Sequence, residues 1–216
     1  MHKLLYLPLF LFSVILAACS QQTAVAERSD GLQARPSQLD EVAAAFALDL
    51  GGARVYIAPA EIEYSKRFSS PFRRHYREKD YQLDLRERQR LDALLAQAFT
   101  EKLLKPRNAR QVLEQVEADY TLSISLQRFS LAAPLEPSPW AWRIYTEQSA
   151  YAELKGTLYN RDGSAVMHFR DRRDIGENLG SAGPGGRLQR FTNVTFWSDL
   201  RVDMRRAFAS LDKSLL

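Results

Sequence analysis

From Tyr120 to Phe129 the chain alternates: Tyr120, Leu122, Ile124 and Leu126 are apolar, and Thr121, Ser123, Ser125 and Gln127 between them are polar. A period of two sends successive side chains to opposite faces of a strand. One face is made to be buried and the other to meet water, as in a sheet covered on one side only. Gln148 to Tyr159 repeats the pattern, with Ala150, Ala152, Leu154 and Leu158 inward and Glu153, Lys155 and Thr157 outward. Asn160-Arg161-Asp162-Gly163 then supplies a hairpin turn, the glycine taking the positive φ such turns require. Ala165 to Arg170 returns as the partner strand.

Helical patterns supply the cover. Leu91, Leu94, Leu95, Ala98, Phe99 and Leu103 recur at spacings of three and four, with Arg86, Arg90, Gln97 and Glu101 off that stripe. Pro106 closes this helix near Lys105. A second amphipathic helix ends the chain: Leu200, Met204, Ala207, Phe208, Leu211 and Leu215 share one face, Arg201, Arg205 and Arg206 point away, and Thr195 or Ser198 caps the start. Residues 41–50 read as a short helix ended by Gly51-Gly52. Arg54 to Ala58 reads as a strand that Pro59 breaks and that Ile62 and Tyr64 continue as a bent edge. These elements predict an α+β fold, a two-layer sandwich of a mostly antiparallel sheet with amphipathic helices on one face.

The start of the chain constrains location. A basic start (His2, Lys3) and an apolar stretch from Leu4 to Ala18 lead to Leu16-Ala17-Ala18-Cys19, the pattern of a secretory leader with its cleavage site. Cys19 is the single cysteine and stands where cleavage exposes it. The segment resembles the lipobox of bacterial lipoproteins. That resemblance implies acylation of Cys19, removal of the leader, and anchoring in a membrane through the lipid. Ser20 follows the cysteine; in such lipoproteins Asp there tends to retain the protein at the inner membrane, so the resemblance implies the periplasmic face of the outer membrane. The chain then divides into a signal peptide (1–18), a polar flexible tether (19–38) and one α+β domain (39–216).

Composition removes several functions. Lys3 is one of the 30 Lys and Arg, so the chain after the leader carries 29 against 26 acids, a formal charge of +3. That surplus is too mild for a nucleic-acid partner. A cysteine consumed by lipid leaves no disulfide, no redox pair and no thiolate for zinc. His75 and His168 form no pair at ligand spacing. No serine lies in a Gly-x-Ser-x-Gly elbow. Gly180 to Gly186 is glycine-rich, but Pro184 and the missing lysine rule out a phosphate-binding P-loop. No cofactor is expected.

Two clusters remain as contact candidates. Arg73, Arg74 and Arg77 gather with His75, Tyr76, Phe68 and Phe72 in one loop, a mixture of cations and aromatics suited to headgroups, lipopolysaccharide phosphates or an acidic protein patch. Trp140 and Trp142 tip a proline-marked loop, either as an exposed docking surface or as a lid over the core. Arg170-Asp171-Arg172-Arg173-Asp174 reads as a self-neutralising ion-pair network at a strand end.

With the Val55-Tyr56-Ile57-Ala58-Pro59 strand, the long helix, Ala118-Asp119-Tyr120-Thr121-Leu122 and the hairpin, the chain resembles uncharacterised Gram-negative lipoproteins grouped under a domain of unknown function. These are similar in fold to transport-auxiliary lipoproteins, the TolB N-terminal domain and activators of cell-wall synthases. The resemblance implies binding or assembly work in the periplasm, with another periplasmic protein or an envelope lipid as partner and no catalytic residues. The alternative is an envelope hydrolase or glycan-modifying enzyme built on dispersed carboxylates such as Glu61, Glu63 and Asp80.

Overall fold

The computed structural model describes residues 31–65, 77–136, 144–177 and 188–216. In chain order the strands are β1 (Gln33–Ala34), β2 (Glu41–Ala44), β3 (Arg54–Ile57), β4 (Glu61–Tyr64), β5 (Arg110–Val112), β6 (Tyr120–Leu131), β7 (Ile144–Thr146), β8 (Ala150–Asn160), β9 (Ala165–Ile175) and β10 (Gln189–Phe191). Helix α1 (Leu85–Phe99) lies between β4 and β5, and α2 (Asn193–Ser214) ends the chain. The main sheet runs β1-β2-β9-β8-β6-β3-β5, with β4 on β6 beyond the end of β3; β7 and β10 form a separate pair. β6, β8, β9, β2 and β1 pair antiparallel, whereas β3 and β4 lie parallel to β6 and β5 lies parallel to β3. Parallel neighbours need a crossover, and α1 provides it between β4 and β5. The result is the α+β sandwich the alternation calls for: the bent edge after Pro59 is β4, and the polar positions of β6 face away from the helices.

α1 begins where its sequence can satisfy the free N–H groups. Asp84 Oδ1 accepts from the Glu87 N–H at 2.7 Å, and Glu87 Oε2 accepts from the Asp84 N–H at 2.8 Å, a reciprocal capping box. The stripe Leu91, Leu94, Leu95, Ala98, Phe99 and Leu103 is buried. Beyond Phe99 the helix passes through a π turn (Thr100–Leu104) and a 3₁₀ turn containing Pro106. On α2, Leu200, Met204, Ala207, Phe208 and Leu211 are buried. Phe208 meets the ring edges of Phe99 at 5.3 Å and Phe169 at 6.1 Å, tying both helices to β9. Fully burying each such side chain contributes about 1.5–3 kcal/mol. The helices are also clipped by ion pairs, Arg205 to Glu101 at 2.5 Å and Arg107 to Asp212 at 2.7 Å.

Several expectations change. Residues 41–44 form a strand rather than the start of a helix, paired with β9 from Glu41↔Arg170 to Ala44↔Met167. Its alanines have helical propensity, but the backbone groups along the β9 edge need partners, and pairing outweighs a preference of a few tenths of a kcal/mol per residue. The fold also reaches back before Leu39: Leu32 is buried and β1 pairs with β2. α2 is capped by Thr192, whose hydroxyl accepts from the Thr195 N–H at 3.0 Å, rather than by Thr195 or Ser198. β9 runs to Ile175, five residues past the expected end. The hairpin holds as read: Gly163 has φ 81, and Asn160 Oδ1 accepts from the Ser164 N–H at 2.8 Å. Among the described residues no helix is long and apolar enough to cross a membrane.

Candidate functional site

The side of the main sheet away from α1 and α2 is polar and half-exposed. Cross-strand register builds it in rows: Ser123 opposite Thr157 opposite His168, and Ser125 opposite Lys155 opposite Arg170 opposite Glu41. Glu61 of β4 extends the second row beyond Ser125. At the centre stands Glu153, whose side chain is only 3% exposed although it lies on the open face. Arg170 Nε lies 2.6 Å and Lys155 Nζ 3.3 Å from Glu153 Oε1, and Arg128 Nε lies 4.0 Å from Oε2. Burial pushes the Glu153 carboxyl up, but the hydrogen bond from Lys155 and the three nearby positive charges outweigh it and hold it below the ordinary glutamate value. Flanking pairs edge the cluster: Arg172 to Asp40 at 2.8 Å and His168 Nε2 to Glu41 at 3.3 Å.

Arg128 reaches this face through an irregularity. The register of β6 against β8 shifts between Gln127 and Ser130, and Arg128 takes the left-handed conformation at φ 51. A bulge inserts one residue and changes the strand's phase. Leu122, Ile124 and Leu126 are buried before it and Phe129 and Leu131 after it. That slip from even to odd apolar positions is visible in the sequence and marks the bulge, which a reading of unbroken alternation misses.

A second polar group lies at one end of the sheet. Asp119 accepts from Arg54 Nη2 and from Arg161 Nη2, both at 2.9 Å. The Arg54 hydrogen bonds hold its carboxyl far below the usual aspartate range. It lines a cleft of about 340 Å³ with Gln115, Val116, Tyr120, Tyr159 and Arg161. A carboxylate clamped between two arginines is a poor proton acceptor.

A third group is interior. Ser149 Oγ donates to Asp199, Gln189 Nε2 donates to Asp199 Oδ2 at 2.9 Å, and the Gly176 N–H donates to Asp203 Oδ2 at 2.8 Å. These bonds stitch α2 to Ser149 just before β8, to Gln189 of β10 and to Gly176 just past β9. Burial raises the Asp203 carboxyl, against the Gly176 hydrogen bond and the nearby arginines. Burial raises Asp171 too, against its pair with Arg173. Among the described residues, no group of three or more His, Cys, Asp or Glu is placed to hold a metal ion.

Of the sequence candidates, Cys19, Arg73, Arg74, His75, Trp140 and Trp142 lie outside the described residues. Arg77 is exposed, and its N–H donates to Asp80 Oδ2 at 2.7 Å. Asp80 is thereby engaged in a local turn, while the exposed Glu61 and Glu63 belong to β4. The charged run at 170–174 forms ion pairs toward the C-terminal end of β9, as expected: within the strand, and across to Asp40 just before β2 and Glu153 of β8. Glu153 and Arg128 were not singled out by their sequence pattern.

No protein-family model matches the chain, and no curated protein matches it. In three dimensions it is similar to the PelC dodecamer of Paraburkholderia phytofirmans, with 10% identity, a TM-score of 0.42, and coverage of 78% of this chain and 96% of that one. It is also similar to a Xanthomonas campestris protein of the DUF330 family, with 12% identity, a TM-score of 0.38, and coverage of 82% and 90%. A further structure, of an uncharacterized protein, is 9% identical with a TM-score of 0.39 over 78% and 97% of the two chains.

Proposed function

We propose that the protein is a lipid-anchored envelope protein, held through Cys19 at the periplasmic face of the outer membrane, whose domain binds another envelope component and carries out no catalysis. The observation that supports the reading best is the broad polar sheet face, organised by cross-strand pairs around Glu153 rather than folded into a cleft around titratable groups. A flat, charge-patterned surface suits recognition of a macromolecule or a membrane surface, whereas catalysis on a small molecule uses a concave site. The leader and Cys19 support the anchoring half of the reading.

Two measurements test it. Radiolabelled fatty acid should enter the wild type and not Cys19→Ala; label retained by the variant overturns the anchor. A photo-crosslinking amino acid introduced at Thr157, on the sheet face, should capture an envelope component in intact cells. The same group placed at Arg86, exposed on α1, should not. Equal capture from both positions, or none from Thr157, overturns recognition through this face.

A further inference from the structure

The main sheet ends on one side at β5, whose far edge pairs with no other described strand. The Arg110 N–H donates inward to the Ala53 carbonyl at 2.9 Å. Successive residues of a strand turn their backbone groups to opposite sides, so Gln111 turns its N–H and C=O outward, and Leu113 follows in the same phase. Native sheets guard such edges with proline, bulges or charge. β5 has neither proline nor bulge, and Gln111 at its centre is uncharged. On the helix side, Ala93, Ala96, Thr100, Lys105 and Gln111 line an open groove of about 420 Å³, and the Thr100 hydroxyl donates to Gln111 Oε1 at 3.1 Å. Leu113, just past the strand, is 87% exposed. Arg110 and Glu114 bracket the edge. Both are exposed, and neither has an ion-pair partner among the described residues.

We propose that this edge pairs with the same edge of a second copy, the two β5 strands meeting antiparallel about a two-fold axis at Val112. The occupant follows because the edge is complementary to itself. Centring the pair on Val112 lets Gln111 of one copy exchange backbone hydrogen bonds with Leu113 of the other, the two residues whose groups turn outward. Glu114 keeps an extended backbone, at φ -110 and ψ 130, so the strand runs on far enough to pair. Each Leu113 then lies beside the other copy's Gln111, at the groove that residue helps to line. Each Arg110 lies directly opposite the other copy's Glu114, a cross-strand ion pair. The same register keeps the two Arg110 side chains four residues apart. Nearby, Glu101 is already paired with Arg205 and Arg107 with Asp212. The exposed leucine, the groove that receives it and both charges of the pair come from one chain, and two-fold symmetry uses each of them twice.

The test uses the full-length protein purified in detergent. Analytical ultracentrifugation in density-matched detergent should show a monomer–dimer equilibrium for the wild type. Leu113→Asp should weaken the dimer about 100-fold, tenfold for each of the two leucines returned to water. Circular dichroism should not change, since Leu113 is exposed. Arg110→Glu and Glu114→Arg should each weaken the dimer about fivefold, through two surface pairs. The double variant Arg110→Glu/Glu114→Arg should restore it, a rescue that only an edge meeting itself provides within one chain. Val112→Cys places two cysteines at the axis with Cα atoms about 4.5 Å apart, inside the range a disulfide spans. Mild oxidation should link that variant into a dimer beyond any formed by the wild type, whose single cysteine is Cys19. A monomeric wild type overturns the proposal. So does a dimer that Leu113→Asp leaves intact, or a double variant that dimerises no better than the single reversals.

Discussion

Gly156 and Phe169 face each other across β8 and β9, and the Phe169 ring fills the space a Cβ at position 156 would need. The same ring meets Phe208 of α2 edge-on, so it cannot withdraw without disturbing the helix contact. Gly156→Ala should therefore lower stability by about 1–3 kcal/mol, measured by urea unfolding, through overpacking. Adding Phe169→Leu should recover part of that loss; a single variant as stable as wild type would show that the ring moves freely. Glu153 teaches a related lesson. Its strand phase correctly places it on the outer face, yet burial there depends on Arg128, Lys155 and Arg170, residues 15 or more positions apart except for Lys155. Alternation tells which way a side chain points; it does not tell what closes over it.

At the scale of elements, periodicity and capping carry most of the information. Both long helices and the central hairpin were legible because their apolar residues recur at one spacing and their ends hold residues with a chemical reason to be there. Thr192 is the exception worth testing, since its hydroxyl takes the Thr195 N–H one turn before the expected start. Thr192→Ala should cost about 1 kcal/mol in thermal or chemical unfolding, while Ser198→Ala, at an exposed position inside the helix, should change little. The reverse result would move the helix start back to Ser198. β2 was not legible, because its Val42-Ala43-Ala44 run is compatible with helix and its strand state comes from the open edge of β9.

For the whole molecule, the carboxylates divide by environment. Arg54 holds Asp119, and Arg172 holds Asp40, below the ordinary range. Their stabilising contribution is present above that range and is lost as pH falls toward their lowered values. Burial raises Asp171 and Asp203 instead, so what they contribute is complete below the ordinary aspartate range and declines as pH rises through their raised values. Asp203→Asn imitates the protonated acid and can still accept from the Gly176 N–H. It should raise the unfolding temperature at neutral pH, and the gain should vanish in acid, where the wild-type carboxyl is itself protonated. A lower unfolding temperature at neutral pH would mean that attraction to Arg173 and Arg206 outweighs burial.

By itself the sequence determined the local states with strong periodicity: β6, the β8–β9 hairpin, the buried stripes of α1 and α2, and the one-sided cover that these imply. Those follow from backbone geometry, since a period of two or of 3.6 leaves an apolar run few other ways to hide. Tertiary structure alone decided which strands neighbour one another, that residues 41–44 complete an edge, and that Leu32 belongs to the core. It also decided the convergence on Glu153: the phase of each strand can be read along its own segment, but which residues of other strands come to lie beside it is set by cross-strand register.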